Sequence, residues 1–299
     1  MVKTAVKKTS VKKTSVKKTT ADNPVVSFLT KTFSRAPAAG IRCYRGQSDV
    51  GWELKPSVMR DLRPEAEAQI FSELMVEAPS DFRDDRRMFD KLVRAQHYSL
   101  PTRLLDVSLN PLVGLYFACN EVEHHGKDGV VQIFDFDSDR VKFADSDAVS
   151  LICNLARLSD DEKEEITRSY KATGVWTAAE KRTFRSGKAM KRLTQFVRVE
   201  KPYFLDLANP RDLFRYFFVY PEKTNRRVIA QSGAFIAAGL LKYLSPGSTS
   251  SRFTKDEILI KAADKPDVLK ALDLLNINSR TMYPEIEFQA KYIKAKWTA

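Results

Sequence analysis

The feature that most constrains what this chain can fold into is the stretch Leu104-Leu105-Asp106-Val107-Ser108-Leu109-Asn110-Pro111 and the apolar run after it, Leu112–Ala118. Leu104–Val107 has the character of a strand from a sheet interior, broken by one carboxylate. Asn110-Pro111 then reads as a helix start, with Asn as N-cap and Pro pre-set for the first turn. Leu112–Ala118 continues as a buried helix. A strand, a short polar turn and a helix N-terminus, in that order, can present backbone N–H groups and hydroxyls to an anion. Thr102, Arg103, Asp106, Ser108 and Asn110 crowd around this turn. A well-capped core helix accounts for the same residues equally well, so the rest of the chain has to decide.

The chain has 299 residues, 43% of them apolar and 18 of them Phe, which is ample for a large core. No apolar run approaches the length of a bilayer span and the N-terminus lacks a signal-peptide pattern, so a cytoplasmic protein without a membrane partner is expected. Cys43, Cys119 and Cys153 share no metal or redox spacing and read as reduced core residues. His97, His124 and His125 are too few and too poorly spaced for a zinc site, so no metal is expected.

The net charge of +12 is unevenly spread. Seven lysines, including Lys7, Lys8, Lys12, Lys13, Lys17 and Lys18, fall in the first 21 residues with no acid, leaving +5 for the rest. This tail repeats SVKKT and cannot bury enough surface to fold, so residues 1–22 are expected to be disordered. Such a segment binds polyanions through counterion release without reading sequence, which makes nucleic acid the expected partner and a nucleoid-associated location an option. A merely solubilising extension is the alternative.

Asn23–Thr32 reads as a lead-in helix and Ala36–Gly40 as a linker, together a segment 23–40. The strand Ile41–Tyr44 runs into Arg45-Gly46-Gln47, where Gly46 permits close backbone approach or an unusual dihedral and Arg45 offers a rigid fork of donors to phosphate or carboxylate. A solvated surface turn would also suit an Arg-Gly pair. Helices follow at Pro64–Ala78 and Asp81 to about His97, then a strand at Val130–Phe134. Ser159–Glu162 and Thr177–Glu180 are capping boxes of a helical middle. The helix after the second box carries Lys181, Arg185, Lys188 and Arg192 as one basic stripe, able to track a phosphate backbone or simply to face solvent, with Gly187 weakening it. Asn209-Pro210 starts a helix through Phe218. Arg226–Ile236 reads as two strands joined near Gln231-Ser232-Gly233. Ile258–Ile260 is a last strand, Asp264–Leu275 an amphipathic helix, and Pro284 opens a C-terminal one. Strands before, between and after helices, without strict alternation, favour α+β.

No Ser-His-Asp set, Walker loop or GxGxxG is present. What remains is a set of polar residues placed within apolar strands: Arg45 and Gln47, Thr102 and Arg103, Asp106 and Ser108, Arg227 and Gln231. Buried, they bond one another or line a site. Converging on one cleft, they would suit a phosphorylated ligand with ribose hydroxyls.

Tyr44-Arg45-Gly46-Gln47, Ala95–Asp106 and Asn110–Ala118 resemble the FRG domain, whose aromatic-Arg-Gly motif is matched by Tyr44-Arg45-Gly46. Arg227–Phe235 and Met282-Tyr283-Pro284-Glu285 resemble its C-terminal motifs. The resemblance implies an FRG domain over residues 41–299 with a helical insertion around 156–200, in a cytoplasmic setting in bacteria or phages. The motif order is in turn similar to the ADP-ribosyltransferase superfamily, which implies mixed or antiparallel central sheets flanked by helices. It also implies NAD as the cofactor. In that scheme Tyr44, Arg45, Gly46, Gln47, Thr102, Arg103, Ser108 and Arg227 would bind it, Arg45 on the phosphates or ribose and Ser108 or Thr102 bracing the nicotinamide ribose. A glutamate expected in the third motif is replaced by Gln231 and Gly233. A carboxylate there would stabilise the cation that forms on the ribose, and a neutral glutamine does so less well. Asp106 and Glu285 are the carboxylates left on matched motifs, and with Gln231 they complete the expected catalytic set; Arg103 or Arg45 would partner Asp106. The expected function is an NAD-using ADP-ribosyltransferase acting on nucleic acid, in phage defence or as a toxin. The alternative is a non-catalytic module that binds nucleotide or nucleic acid.

Overall fold

The computed structural model describes residues 23–36, 39–241 and 253–297. The lysine-rich segment 1–22, and with it Lys7, Lys8, Lys12, Lys13, Lys17 and Lys18, lies outside the described residues. Apolar and aromatic runs form seven strands: β1 (Ile41–Gln47), β2 (Leu104–Ser108), β3 (Gly129–Phe136), β4 (Val141–Phe143), β5 (Tyr216–Tyr220), β6 (Gly233–Ala238) and β7 (Phe253–Ile260). They make one mixed sheet in the order β4-β5-β6-β2-β1-β3-β7. Only β4 and β5 run parallel; the other neighbours are antiparallel. The architecture is α+β, with a single sheet in place of several.

Alternation along the strands sorts the core. Cys43, Leu105, Val107, Phe134, Phe136, Phe218 and Ile236 share one cluster. Four strand spacings of roughly 4.8 Å separate β3 from β5 along the sheet, yet the rings of Phe136 and Phe218 lie 6.1 Å apart. The sheet therefore curls round this cluster. The alternate residues divide into two clusters. Tyr44, Val131, Ile133 and Ile258 pack with helices α1 (Pro24–Phe33), α4 (Pro111–Phe117) and α10 (Lys265–Leu274). Leu104, Phe217, Phe235 and Ala237 pack with α2 (Ala66–Glu77), α3 (Met88–His97) and α5 (Asp147–Asn154). A further apolar cluster joins α5 to α6 (Asp160–Arg168), α7 (Ala178–Ser186) and α8 (Lys188–Glu200). Short helices α9 (Arg226–Ala230) and α11 (Ser279–Met282), then α12 (Ile286–Lys296), complete the described helices.

Several expectations are corrected. Arg226–Ile236 is a helix followed by a strand: Asn225 caps α9 by accepting from Arg227 N, and Ser232, at φ +47°, reverses the chain into β6. Asn209-Pro210 begins only one 3₁₀ stretch to Phe214, after which Tyr216–Tyr220 is a strand whose apolar side chains pack on both faces of the sheet. The helix expected from Asp81 begins at Met88. Gly187, with ψ near 148°, ends one helix and caps the next.

Candidate functional site

β1 and β2 pair at one register position only, Tyr44 with Ser108. Elsewhere the two strands diverge, and they do so at the seam between the two half-sheet clusters. A cleft of about 290 Å³ opens there, lined by β1 (Tyr44, Arg45, Gly46), β2 (Asp106, Val107, Ser108), the end of α3 (Gln96, His97), α9 and the start of β6 (Arg227, Gln231), with Trp52, Phe117 and Tyr283 as aromatic walls. The glycine of the Arg-Gly pair makes the site possible by close approach. A Cβ at Gly46 would lie 2.5 Å from Ala118 N and 2.7 Å from Phe117 C, and nearer still to Gly114 O, so α4 rests directly on the β1 backbone.

Arg45 Nη1 donates to the Asp106 carbonyl at 2.8 Å, a group that divergence from β1 leaves without a ladder partner on that side. Its Nε is buried with no hydrogen-bond partner among the described residues. Burial lowers the Arg45 pKa from its ordinary value, and Asp106 opposes this. A desolvated guanidinium with an unused donor, beside a cleft, suits an anionic ligand. The Asp106 carboxylate is exposed on the same cleft. Gln96 Nε2 donates to Asp106 Oδ2, and Gln96 Oε1 accepts from Thr102 Oγ1 at 2.5 Å. This chain of bonds orients Asp106 and leaves its Oδ1 without a hydrogen-bond partner among the described residues.

Arg227 Nη2 lies 3.1 Å from Glu285 Oε1 and its guanidinium sits 5.0 Å from the Tyr283 ring centroid. His97 Nε2 reaches the same Glu285 oxygen at 3.4 Å. Burial, then the Arg227 charge, lowers the His97 pKa below the usual imidazole value, against the opposing pull of Glu285. Burial raises the Tyr283 phenol. Gln231 Nε2 donates to Met282 O at 3.0 Å, which ties the end of α9 to the end of α11.

Of the residues expected to bind a cofactor, Tyr44, Arg45, Gly46, Ser108 and Arg227 line the cleft, and Gln47, Thr102 and Arg103 do not. Gln47 is buried and donates to Trp52 O at 3.4 Å. Thr102 acts through Gln96. Arg103 points elsewhere: it pairs with buried Glu67, donates to Ala238 O at 2.9 Å and lines a separate cavity of about 460 Å³. The expected ion pair between Asp106 and Arg103 is therefore absent, and Arg45 meets the backbone of Asp106. Of the expected catalytic set, Asp106 and Gln231 line the cleft, while Glu285 sits behind Arg227 and His97. The turn at Asn110 offers no anion cradle. Asn110 Oδ1 takes Leu112 N, Asn110 O takes the next two amides, and Ser108 Oγ donates to Gln231 O and accepts from Asn110 N.

The basic stripe is not one surface line. Lys181 and Arg185 lie on α7, Lys188 and Arg192 on α8. Arg185 donates to the carbonyls of Ala208 and Leu207, and Arg192 pairs with Glu162 at 3.1 Å. Gln96, His97 and Trp52 line the cleft without having been singled out for it. The signal for the first two was their place directly before the turn that carries Thr102 and Asp106; nothing local marks Trp52.

Residues 41–127, the part that holds β1, α2 to α4 and β2 and supplies Arg45, Gln96 and Asp106, match the family model of the FRG domain. Arg227, Gln231 and Glu285 lie beyond the matched span. No curated protein and no solved structure matches the chain. Among the described residues no helix is long and apolar enough to cross a membrane.

Proposed function

We propose that this chain is an ADP-ribosyltransferase-like enzyme that uses NAD, with nucleic acid as its acceptor class. One observation carries the reading: Arg45, a cation with an unused donor, and Asp106, a carboxylate with an open oxygen, line one cleft from neighbouring strands. NAD fits these residues as a substrate. Its pyrophosphate suits the Arg45 fork, and its rings suit the walls made by Trp52, Phe117 and Tyr283. The cleft, about 290 Å³, is at the small end of ligand pockets, which run from roughly 300 to 1,000 Å³. A cleft of this size would take one end of a dinucleotide.

NAD supplies a ribosyl group joined to a nicotinamide that can leave. Arg45 binds phosphate; Asp106, held by Gln96 and Thr102, sets Oδ1 against the positive charge that develops on the ribose, a preorganised electrostatic role. Asp106 thus takes the part expected of a glutamate on β6. Gln231 and Glu285 stiffen the opposite wall. The lysine-rich segment 1–22 would bring the polyanionic acceptor close.

A second reading, a nucleotide-binding module without catalysis, has one observation in its favour: β6 brings no carboxylate to the cleft and Gln231 is tied to Met282. Incubation with NAD labelled on its adenylate phosphate, together with DNA, RNA or cell lysate, separates the two. The enzyme reading expects label transfer that Arg45→Ala and Asp106→Asn abolish. Binding of NAD without nicotinamide release or label transfer in any mixture establishes the second reading instead.

A further inference from the structure

Among the described residues, two side chains on one face of helix α12 hold it to the body. Phe288 stacks on Tyr283 with ring centroids 4.4 Å apart, and Tyr292 Oη donates to Asp273 Oδ1 at 2.8 Å. At 100° per residue the opposite face carries Ile286, Ala290 and Ile293, and Trp297, which caps the helix end, falls within the same arc of roughly 60°. All four are exposed, Ile286 at 80%, Ile293 at 53% and Trp297 at 81%. Scattered apolar residues on a surface need no explanation, but an unbroken stripe along a whole helix marks an interface.

We infer that this stripe is a self-association surface, on which α12 pairs antiparallel with α12 of a second copy of the chain. The spacing supports that occupant. Steps of four, three and four residues read the same from either end, so antiparallel pairing sets Ile286 on the partner's Trp297 and Ala290 on the partner's Ile293. The flanking charges agree. Glu287 and Lys294, both exposed, lie seven residues apart on one flank of the stripe. In an antiparallel pair Glu287 faces the partner's Lys294, twice by symmetry, whereas a parallel alignment sets Lys294 against the partner's Gln289. An 11-residue helix is only about 16 Å long. The contact is therefore small beside the roughly 1,200 Å² of a standard interface, and the dimer is weak.

Sedimentation velocity on the full chain from about 1 to 200 µM, a range chosen for a weak complex, tests this. The sedimenting mass should rise from 34.0 kDa toward twice that value. Ile293→Asp should weaken association at least about tenfold, from the loss of one buried aliphatic side chain. Glu287→Lys and Lys294→Glu should each weaken it, and the double variant Glu287→Lys/Lys294→Glu should recover it, with all variants melting like the parent. A monomer at every concentration overturns the inference, whether another part of the chain or a different protein occupies the stripe. So does a dimer indifferent to Ile293→Asp, or a double variant that stays as weak as the single ones.

Discussion

Gly46→Ala is the sharpest test of how the site is assembled. The added methyl would meet Ala118 N at 2.5 Å and Phe117 C at 2.7 Å, with Gly114 O closer still. Comfortable contacts lie near 3.5–4.0 Å, so β1 and α4 must separate by about 1 Å. All the atoms struck are backbone, so no side-chain rotation relieves the clash. Retreat of α4 would loosen Val113 and Leu115, which are 1% and 0% exposed in the core. Overpacking costs about 1–3 kcal/mol and occasionally more; a clash of two main chains belongs at the top, about 4 kcal/mol. At roughly 2–3 °C per kcal/mol for a chain of this size, the melting midpoint should fall by about 8–12 °C in a calorimetric or circular-dichroism scan. Gly126→Ala, where the new methyl meets nothing within 4 Å, is the control and should melt like the parent. A Gly46→Ala protein that melts within about 2 °C of the parent would refute the direct seating of α4 on β1.

Three further outcomes follow from other parts of the molecule. Burial alone would raise the Glu67 carboxyl, but Arg103 and Lys163 hold it at about 2, below the ordinary 4.5. A depressed folded-state pKa gives stability that is present above about pH 4.5 and lost as pH falls toward 2, at most about 3 kcal/mol; denaturant melts of Glu67→Gln should lack this acid limb, and an unchanged limb would contradict the pairing. The His97 imidazole should titrate below the usual value by NMR, lower still in Glu285→Gln and higher in Arg227→Ala, since those charges act on it in opposite senses; the reverse order would show that Glu285 does not face His97. Deleting residues 1–21 removes seven lysines and should weaken DNA binding while flattening its salt dependence, by about 0.9 in log–log slope per lost phosphate contact; unchanged binding would leave the segment without that role.

Much of the sheet was legible because its strands carry local signals. Ile41–Tyr44, Leu104–Val107 and Val130–Phe134 are apolar runs bounded by turn residues, and all are strands. The capping boxes at Ser159 and Thr177 and the Asn110-Pro111 start are likewise local, and each sits where expected. The misreadings came from one local cap that was passed over and one strand set by distant partners. Arg226–Ala230 is helical because Asn225 caps it, and Tyr216–Tyr220 is a strand because β6 and β4 flank it. In the cleft, residue type was readable and direction was not. Arg103 and Arg45 look alike in sequence, yet Arg103 turns to Glu67, 36 residues away along the chain, and only Arg45 reaches the cleft. Strand alternation alone could not place them, because β1 and β2 diverge after one shared pair.

In the proposed function Arg45 anchors NAD in a cleft where Asp106 acts on it. Titration calorimetry of NAD into the parent, Arg45→Ala and Asp106→Asn proteins tests it most directly. Expected are saturable binding by the parent, a loss of at least about tenfold for Arg45→Ala, since a charge-assisted bond is worth about 1.5–3 kcal/mol, and near-parent binding with no nicotinamide release for Asp106→Asn. Binding that Arg45→Ala leaves intact, or no binding by the parent at all, would contradict it.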